Sequence, residues 1–415
     1  MKRDLVSATT SRLTRRCISC NALDRNVLYR NEIAQISGLD LSYDVVQCVV
    51  CGAAFADSLA SPLDYEAYYR HCSKYDSIES VSNISVIDRR RAEFGVAFVG
   101  QHVNTAGRVL DLGCGSGVLL AEFVRAGWSD AKGLDPAPNA PSSAQRLFGL
   151  DGVRHGTITA VGEHFALRDF DVICMTAVLE HLMDPVVVLR MIAEGMRPEA
   201  SLLVEVPALE SFARTPLEPH GEFSIEHINF FSRHALIDTA ARSGLRPVAS
   251  AILDLWPFAT DSVYVLFQKG AVDSEEPANR DLARDYIAES ANALRPVLER
   301  AASAVRTGRA VIWGAGSHTA RLLPMLDNLG LGGEISAIID SNPNLNGRSF
   351  GRHEVLPPDA LERWPDSVVV VSSFRSSAPI AANLKKRFPN TVCELYAPLP
   401  VAGGCVSTRE LRDRS

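Results

Sequence analysis

The stretch RVLDLGCGSGVLLAEFVRAGW, residues 108–128, constrains this chain more than any other. The apolar run ending at Leu112 predicts a buried parallel strand, and the apolar positions from Val118 to Val124 predict a helix packed back on it. Between them Gly113, Gly115 and Gly117 predict a tight turn whose missing side chains let a ligand approach the backbone. A strand, glycine turn and helix in this order place a nucleotide-type site at the carboxyl end of a parallel strand.

Two cofactors compete for such a turn, a dinucleotide and S-adenosylmethionine. A second strand in AKGLDPAP ends at Asp135, whose carboxylate can accept hydrogen bonds from both hydroxyls of a ribose; its distance from the turn suits either cofactor. The segment FDVICMTAVLEHLMDP then predicts a strand from Asp171 to Met175, followed by Glu180, His181 and Asp184. SLLVEVP predicts another strand, SRHALIDTAARSGLRPV a helix, and VASAILDL with VYVLFQK a closing pair of strands. The D-x-G-x-G-x-G pattern at Asp111 and the order of these motifs resemble class I S-adenosylmethionine-dependent methyltransferases over residues 85–270. That resemblance implies S-adenosyl-L-methionine as cofactor. It also implies that Gly113, Gly115 and Gly117 border its methionine part, that Asp111 orients it and Asp135 holds its ribose, and that Pro136 and Ala177 lie beside it.

Ahead of this domain stand two Cys-x-x-Cys pairs, Cys17 with Cys20 and Cys48 with Cys51, separated by 27 residues. In a reducing compartment this spacing points to metal rather than disulfides. Four thiolates form a closed tetrahedral shell for Zn2+ with no open position for substrate, so the predicted role is structural. The alternatives are four buried cysteines that never meet, or a redox pair; neither pair sits in the strand-to-helix setting a redox motif needs. A module of this size buries too little apolar surface to fold alone, which makes the metal part of its folding energy.

Behind the methyltransferase-like domain comes RAVIWGAGSHTARLLPMLDNLG, again strand, glycine turn and helix, with Gly314, Gly316 and Ala320 in the turn and Asp340 ending the next strand. This predicts a second Rossmann-like unit, either a second nucleotide site or an architectural wall. The predicted fold class is therefore α/β: a class I methyltransferase Rossmann-like sheet with a small N-terminal zinc-binding module and a second C-terminal Rossmann-like α/β domain. The expected boundaries are 1–75 for the zinc module and its aromatic segment, 85–270 for the methyltransferase domain, 271–306 for a helical linker, 307–400 for the second Rossmann-like domain and 401–415 for a tail.

Cysteine quartet, methyltransferase and second Rossmann-like unit in this order resemble the sugar C-methyltransferase family, whose members methylate a ring carbon of nucleotide-linked keto-deoxysugars. The family's Tyr-His-Glu-His signature falls on Ser224, Ile225, Glu226 and His227, so its second half is retained. Its His-Gly-Gly-Ser segment is replaced by LWPFATDSVYV. The resemblance implies His227 as the base that removes a proton beside the ketone, with Glu226 either orienting its imidazole or sharing the proton work. With Ser224 in place of the tyrosine, His181 or Tyr69 is expected to stabilise the resulting oxyanion. Against this stand plainer roles: Glu226 and His227 as caps of the helix beginning near Ser232, His181 as a structural histidine, and YEAYYRHCSKY as packing for the zinc module.

Composition narrows the field. At 415 residues the chain is long enough for two or three domains, and no apolar run of about 18 residues could span a bilayer. The basic start MKRDLVSATTSRLTRR lacks the apolar core of a secretory signal, so a cytoplasmic location is expected. A net charge of −7 and a pI near 5.8 disfavour nucleic acid as partner but admit a small anionic substrate such as a nucleotide sugar or another activated sugar. Four activities stay open: C-methylation of a nucleotide keto-sugar, O-methylation of a sugar or glycan hydroxyl, RNA methylation, and a non-catalytic binding role.

Overall fold

The computed structural model describes residues 12–61, 63–65, 67–68, 84–103, 107–214, 218–256, 258–272, 279–374, 377–387 and 392–396. The chain divides into two compact units. The first comprises residues 1–31 and 42–291, and the second residues 32–41 and 292–415.

Two sheets build the first unit. β1 (Arg25–Asn31), β2 (Tyr43–Cys48) and β3 (Ala54–Asp57) form an antiparallel meander, with one cysteine pair ahead of β1 and the other at the turn from β2 to β3. The helix α1 (Val86–His102), capped by Ser85 whose Oγ accepts from Asp88 N, leads into the methyltransferase sheet. There β4 (Arg108–Leu112), β5 (Asp130–Asp135), β6 (Val153–His155), β7 (Val172–Thr176) and β8 (Ser201–Pro207) run parallel. Their buried apolar runs, with helices α2 (Val118–Arg125), α3 (Ala140–Phe148) and α4 (Pro185–Gly195) between them, are what two-sided burial of a parallel sheet demands.

A short helix α5 (Leu209–Phe212) follows, and then β9, only Asn229–Phe230. β9 does not join the methyltransferase sheet. It pairs antiparallel with β3 and becomes the fourth strand of the cysteine-module sheet, in the order β1-β2-β3-β9. After helix α6 (Arg233–Ala241), β10 (Leu245–Leu253) and β11 (Ser262–Lys269) close the larger sheet antiparallel, giving β10-β11-β8-β7-β4-β5-β6. One apolar core contains Cys17, Ile18, Cys48 and Phe55 of the module together with Leu112, Ile173, Val204 and Phe231 of the methyltransferase part. The two parts are therefore one folded body.

The boundary between the units falls inside helix α7 (Leu282–Val305). In the second unit β12 (Ala310–Trp313), helix α8 (Ser317–Asn328), β13 (Ile335–Ile339), β14 (Ser349–Phe350), β15 (His353–Leu356), β16 (Val368–Val371), helix α9 (Ser377–Arg387) and β17 (Val392–Glu394) form a six-stranded sheet, β14-β15-β13-β12-β16-β17. All its pairings are parallel except β14 with β15. Residues 32–41, which leave the module between β1 and β2, belong to this unit: Ala34 N donates to Ala320 O, and Gly351 N to Gln35 O. No helix among the described residues is long and apolar enough to cross a membrane.

Candidate active site

The glycine turn at the carboxyl end of β4 is built as a ligand cradle. Gly113, Gly115 and Gly117 all have φ in the left-handed region, at 85°, 51° and 85°. A Cβ on Gly113 would come within 2.4 Å of Val178 Cγ2, whereas one on Gly115 would meet nothing within 4 Å. The turn thus packs tightly on one side and is open on the other. Asp135, at the end of β5, accepts from Gly115 N (2.7 Å) and Ala137 N (2.8 Å), which ties the two strand ends together and leaves further lone pairs on both oxygens. Burial pushes its carboxyl up, opposed by these two amides.

Asp111, at the end of β4, carries an unmatched acceptor among the described residues. It is 1% exposed, and its Oδ1 has no hydrogen-bond partner among the described residues. Burial, with Asp135 nearby, pushes its carboxyl up to about 8. A buried acceptor left unmatched is costly, and a ligand donor delivered to the turn relieves that cost. The neighbouring Pro136 carbonyl receives His155 Nε2 at 3.1 Å. Ala177, just past β7, is exposed and held at φ 53°, a conformation uncommon for a residue with a Cβ, while its N–H reaches Glu205 O.

Beyond the cradle, on the same edge of the sheet, two imidazoles meet. His181 sits in the turn after β7 and His227 just before β9; their ring centroids are 4.9 Å apart at 77°. His181 Nδ1 lies 3.0 Å from the carbonyl of Glu226. A carbonyl only accepts, so the neutral ring carries its proton on Nδ1 and keeps Nε2 as an acceptor. Glu180 Oε1 lies 3.8 Å from that Nε2. The Glu180 carboxyl is 2% exposed, makes no hydrogen bond among the described residues, and is pushed up to about 8 by burial and by Glu205. One ligand atom from each of Glu180, His181 and His227 lies within 4.8 Å of the others. A proton donor and two acceptors so arranged can pass a proton between them.

The structure separates some of the sequence expectations from their plainer alternatives. Helix α6 is capped by Ser232, whose Oγ accepts from Ala235 N, so Glu226 and His227 do not cap it. Ser224 turns its hydroxyl onto His227 N (3.0 Å), and Ile225 is buried in the core at 2% exposure. Tyr69 lies outside the described residues; in the same segment Tyr65 is buried. Sequence reasoning passed over Glu205, Arg91 and Asn229. Glu205 and Arg91 pair at 3.7 Å near Glu180, and the sole charged residue in the otherwise apolar strand SLLVEVP was the available signal.

The four module cysteines converge as well. Cys17 and Cys51 sulfurs lie 3.4 Å apart, as do those of Cys20 and Cys48, and all four lie within 4.8 Å of one another. An ideal tetrahedron with metal–sulfur bonds of about 2.3 Å has edges of about 3.8 Å, so the set fits a thiolate-bound ion such as zinc. The hydrogen bond from Cys17 pushes Cys51 down to about 5 and holds Cys17 as the thiol; a metal ion would take the place of such shared protons.

Residues 87–250 match the family described as a methyltransferase domain. Over 164 residues the chain is 30% identical to the ubiquinone biosynthesis O-methyltransferase of Pseudoalteromonas translucida, covering 36% of this chain and 68% of that protein. The chain belongs to the S-adenosylmethionine-dependent methyltransferases. Its cofactor is S-adenosylmethionine. Proteins of the same name from Hahella chejuensis (40% identity over 100 residues, 23% of this chain) and Bordetella avium (33% over 154 residues, 34% of this chain) are also similar. This methyltransferase spans 41% and 62% of their respective lengths. Similar solved structures include the magnesium protoporphyrin IX methyltransferase of Synechocystis PCC 6803, at 13% identity over 51% of this chain and 100% of that one, with a TM-score of 0.39. Another is the Burkholderia thailandensis 1,6-didemethyltoxoflavin-N1-methyltransferase, at 18% identity over 54% and 97%, with a TM-score of 0.41.

Proposed function

We propose that this methyltransferase alkylates a ring carbon beside the ketone of a nucleotide-linked deoxysugar. The observation that carries the reading is the meeting of His181 and His227 on the cofactor edge of the sheet, with Glu180 at 3.8 Å from His181. S-adenosylmethionine supplies the electrophilic methyl group. His227 takes the proton from the carbon beside the ketone, and the electron pair left behind forms the carbon–methyl bond as the sulfonium carbon–sulfur bond breaks. His181, whose Nε2 is the acceptor in this tautomer, stands beside it as a second proton carrier, and Glu180, protonated near neutrality, can return a proton. Asp111, Gly113, Gly115, Gly117, Asp135, Pro136 and Ala177 hold the cofactor. Cys17, Cys20, Cys48 and Cys51 hold a structural zinc ion, and the protein works in the cytoplasm.

A second reading is methyl transfer to a hydroxyl oxygen, with the same histidines deprotonating the alcohol. It is favoured by the names of the curated relatives and by Ser224, whose hydroxyl is engaged with the His227 amide where the sugar family carries a tyrosine. The two readings part in heavy water. Enzyme-dependent deuterium uptake at the carbon beside the ketone, lost in His227→Ala, is the result expected for carbon methylation. Methyl transfer with no exchange at that carbon would leave the hydroxyl reading.

A further inference from the structure

Arg15, two residues ahead of Cys17, is buried at 6% exposure, yet its partners are mostly main-chain carbonyls. Its Nη1 donates to Ala56 O and Ile228 O, each at 3.0 Å, and its Nη2 donates to Met183 O at 2.8 Å and Asn229 Oδ1 at 2.7 Å. Asn229, 2% exposed, continues the chain of contacts: its Nδ2 donates to Leu179 O (2.9 Å) and Leu182 O (2.8 Å). The Arg15 amide is itself fixed on Asp57 Oδ1 at 2.6 Å, and Asp57 pairs with Arg25 at 2.5 Å.

One guanidinium therefore joins three segments distant in sequence: β3, the turn from Leu179 to Met183, and the start of β9. The second and third carry the two histidines, and the contacts fall on residues next to them, Leu182 beside His181 and Ile228 beside His227. The backbone repeats the link, since Ile228 N donates to Glu180 O and Ala56 N to Ile228 O. Packing alone could have joined these segments with apolar side chains. A buried guanidinium carries a desolvation cost, matched here by charge-assisted bonds that fix direction as well as distance. Directional bonds of this kind hold functional side chains in one geometry.

We propose that Arg15 and Asn229 form a positioning clamp that sets the separation of His181 and His227 and the tautomer of His181, so that the cysteine module governs acceptor activation from behind the two loops. This rests on the reading that the two histidines face the acceptor, and its test is independent of any acceptor. The full chain carrying its module metal is compared with Arg15→Ala, Arg15→Lys and Asn229→Leu by imidazole 15N–1H correlation at fixed pH. His181→Gln and His227→Gln spectra supply the assignments, and metal content and S-adenosylmethionine affinity are measured in parallel.

The wild type is expected to show His181 as the Nδ1–H tautomer. Each clamp variant is expected to mix the tautomers of His181 and shift the His227 resonances, with metal content and cofactor affinity within about twofold of wild type. Added guanidinium is expected to restore the spectrum of Arg15→Ala but not that of Asn229→Leu. Unchanged imidazole spectra in folded, metal-loaded variants would overturn the clamp. So would loss of the fold in all three, which would make the pair structural. If the spectra respond but His227→Ala leaves methyl transfer intact, the clamp stands and the base assignment fails.

Discussion

Each unit of this methyltransferase opens a parallel sheet with a strand, a glycine turn and a helix, and in each an aspartate ending the next strand accepts two backbone amides. Asp135 takes those of Gly115 and Ala137, and Asp340 takes those of Ala315 and Asn342 at 2.7 Å each. What fills the space around the turn differs. Beside the second turn His318 is buried with both ring nitrogens engaged, Nδ1 by Ser372 Oγ at 2.7 Å and Nε2 by the Tyr396 hydroxyl. Thr319 reaches Gly314 O and Ser372 Oγ. Beside the first turn the buried Asp111 Oδ1 lacks a partner and Ala177 stands exposed. Among the described residues, the side chains beside the second turn bond to one another, whereas beside the first a buried acceptor stays unmatched. The comparison teaches that a glycine turn marks a backbone geometry, while binding is marked by polar groups the fold does not itself satisfy.

The sharpest way to break the contrast is a pair of alanines, one in each turn. Gly113→Ala would bring its Cβ to 2.4 Å from Val178 Cγ2 at a φ of 85°, and is expected to weaken S-adenosylmethionine binding about 100-fold or more in calorimetry, since the turn must shift. Gly316→Ala, at φ −99° with nothing within 4 Å of the added carbon, is expected to leave that affinity within about twofold. Wild-type protein should take up one equivalent of cofactor; two equivalents would erase the distinction.

The zinc ion proposed for the four module cysteines comes next. Cys48→Ser is expected to lower the zinc content measured by elemental analysis and to cost several kcal/mol of stability, in the manner of thiolate sites that fold with their ion. Methyl transfer should fall with it, because β3 of the module carries β9 and with it the His227 loop. Within the second unit, His318→Ala removes one hydrogen bond from Ser372 Oγ and one from the Tyr396 hydroxyl. About 2–3 kcal/mol of stability should be lost in urea unfolding, with cofactor affinity untouched.

A last prediction concerns a pH slope. Asp111 is held near 8 in the folded protein against 3.8 as its ordinary value, so between these limits the native state binds more protons than the unfolded one. Its contribution to stability is fully present below about pH 4 and is lost as pH rises toward 8, at up to about 1.4 kcal/mol per pH unit. Asp111→Asn should flatten this decline in unfolding curves measured at pH 5, 6.5 and 8 without bound cofactor. An unchanged slope would mean that Asp111 ionises normally.

Much of the fold was legible because its signals are local. The apolar run before Gly113, the alternation of strands with helices and the paired cysteines each declare themselves within a few residues. What stayed hidden depends on contacts across long stretches of chain. Nothing in GEFSIEHINFFS indicates that Asn229–Phe230 will pair with β3 rather than with the methyltransferase strands. Arg15 stands in the basic run RLTRRC, which resembles a solvated surface until its five carbonyl and amide contacts are seen. Residues 32–41 lie in sequence between two module strands, yet they belong to the second unit. His181 and Glu226 were both nameable from the sequence, but the bond from the ring to the Glu226 carbonyl, which fixes the tautomer, required the fold.

The central claim is that the histidine pair activates a carbon beside a ketone. Its most direct test is incubation of the protein and S-adenosylmethionine with a panel of nucleotide sugars, with and without a 4-keto group, followed by mass spectrometry and NMR of any product. The account predicts a methyl group bound to carbon next to the ketone, on keto-sugars alone. A methyl group bound to oxygen, or transfer indifferent to the ketone, would contradict it.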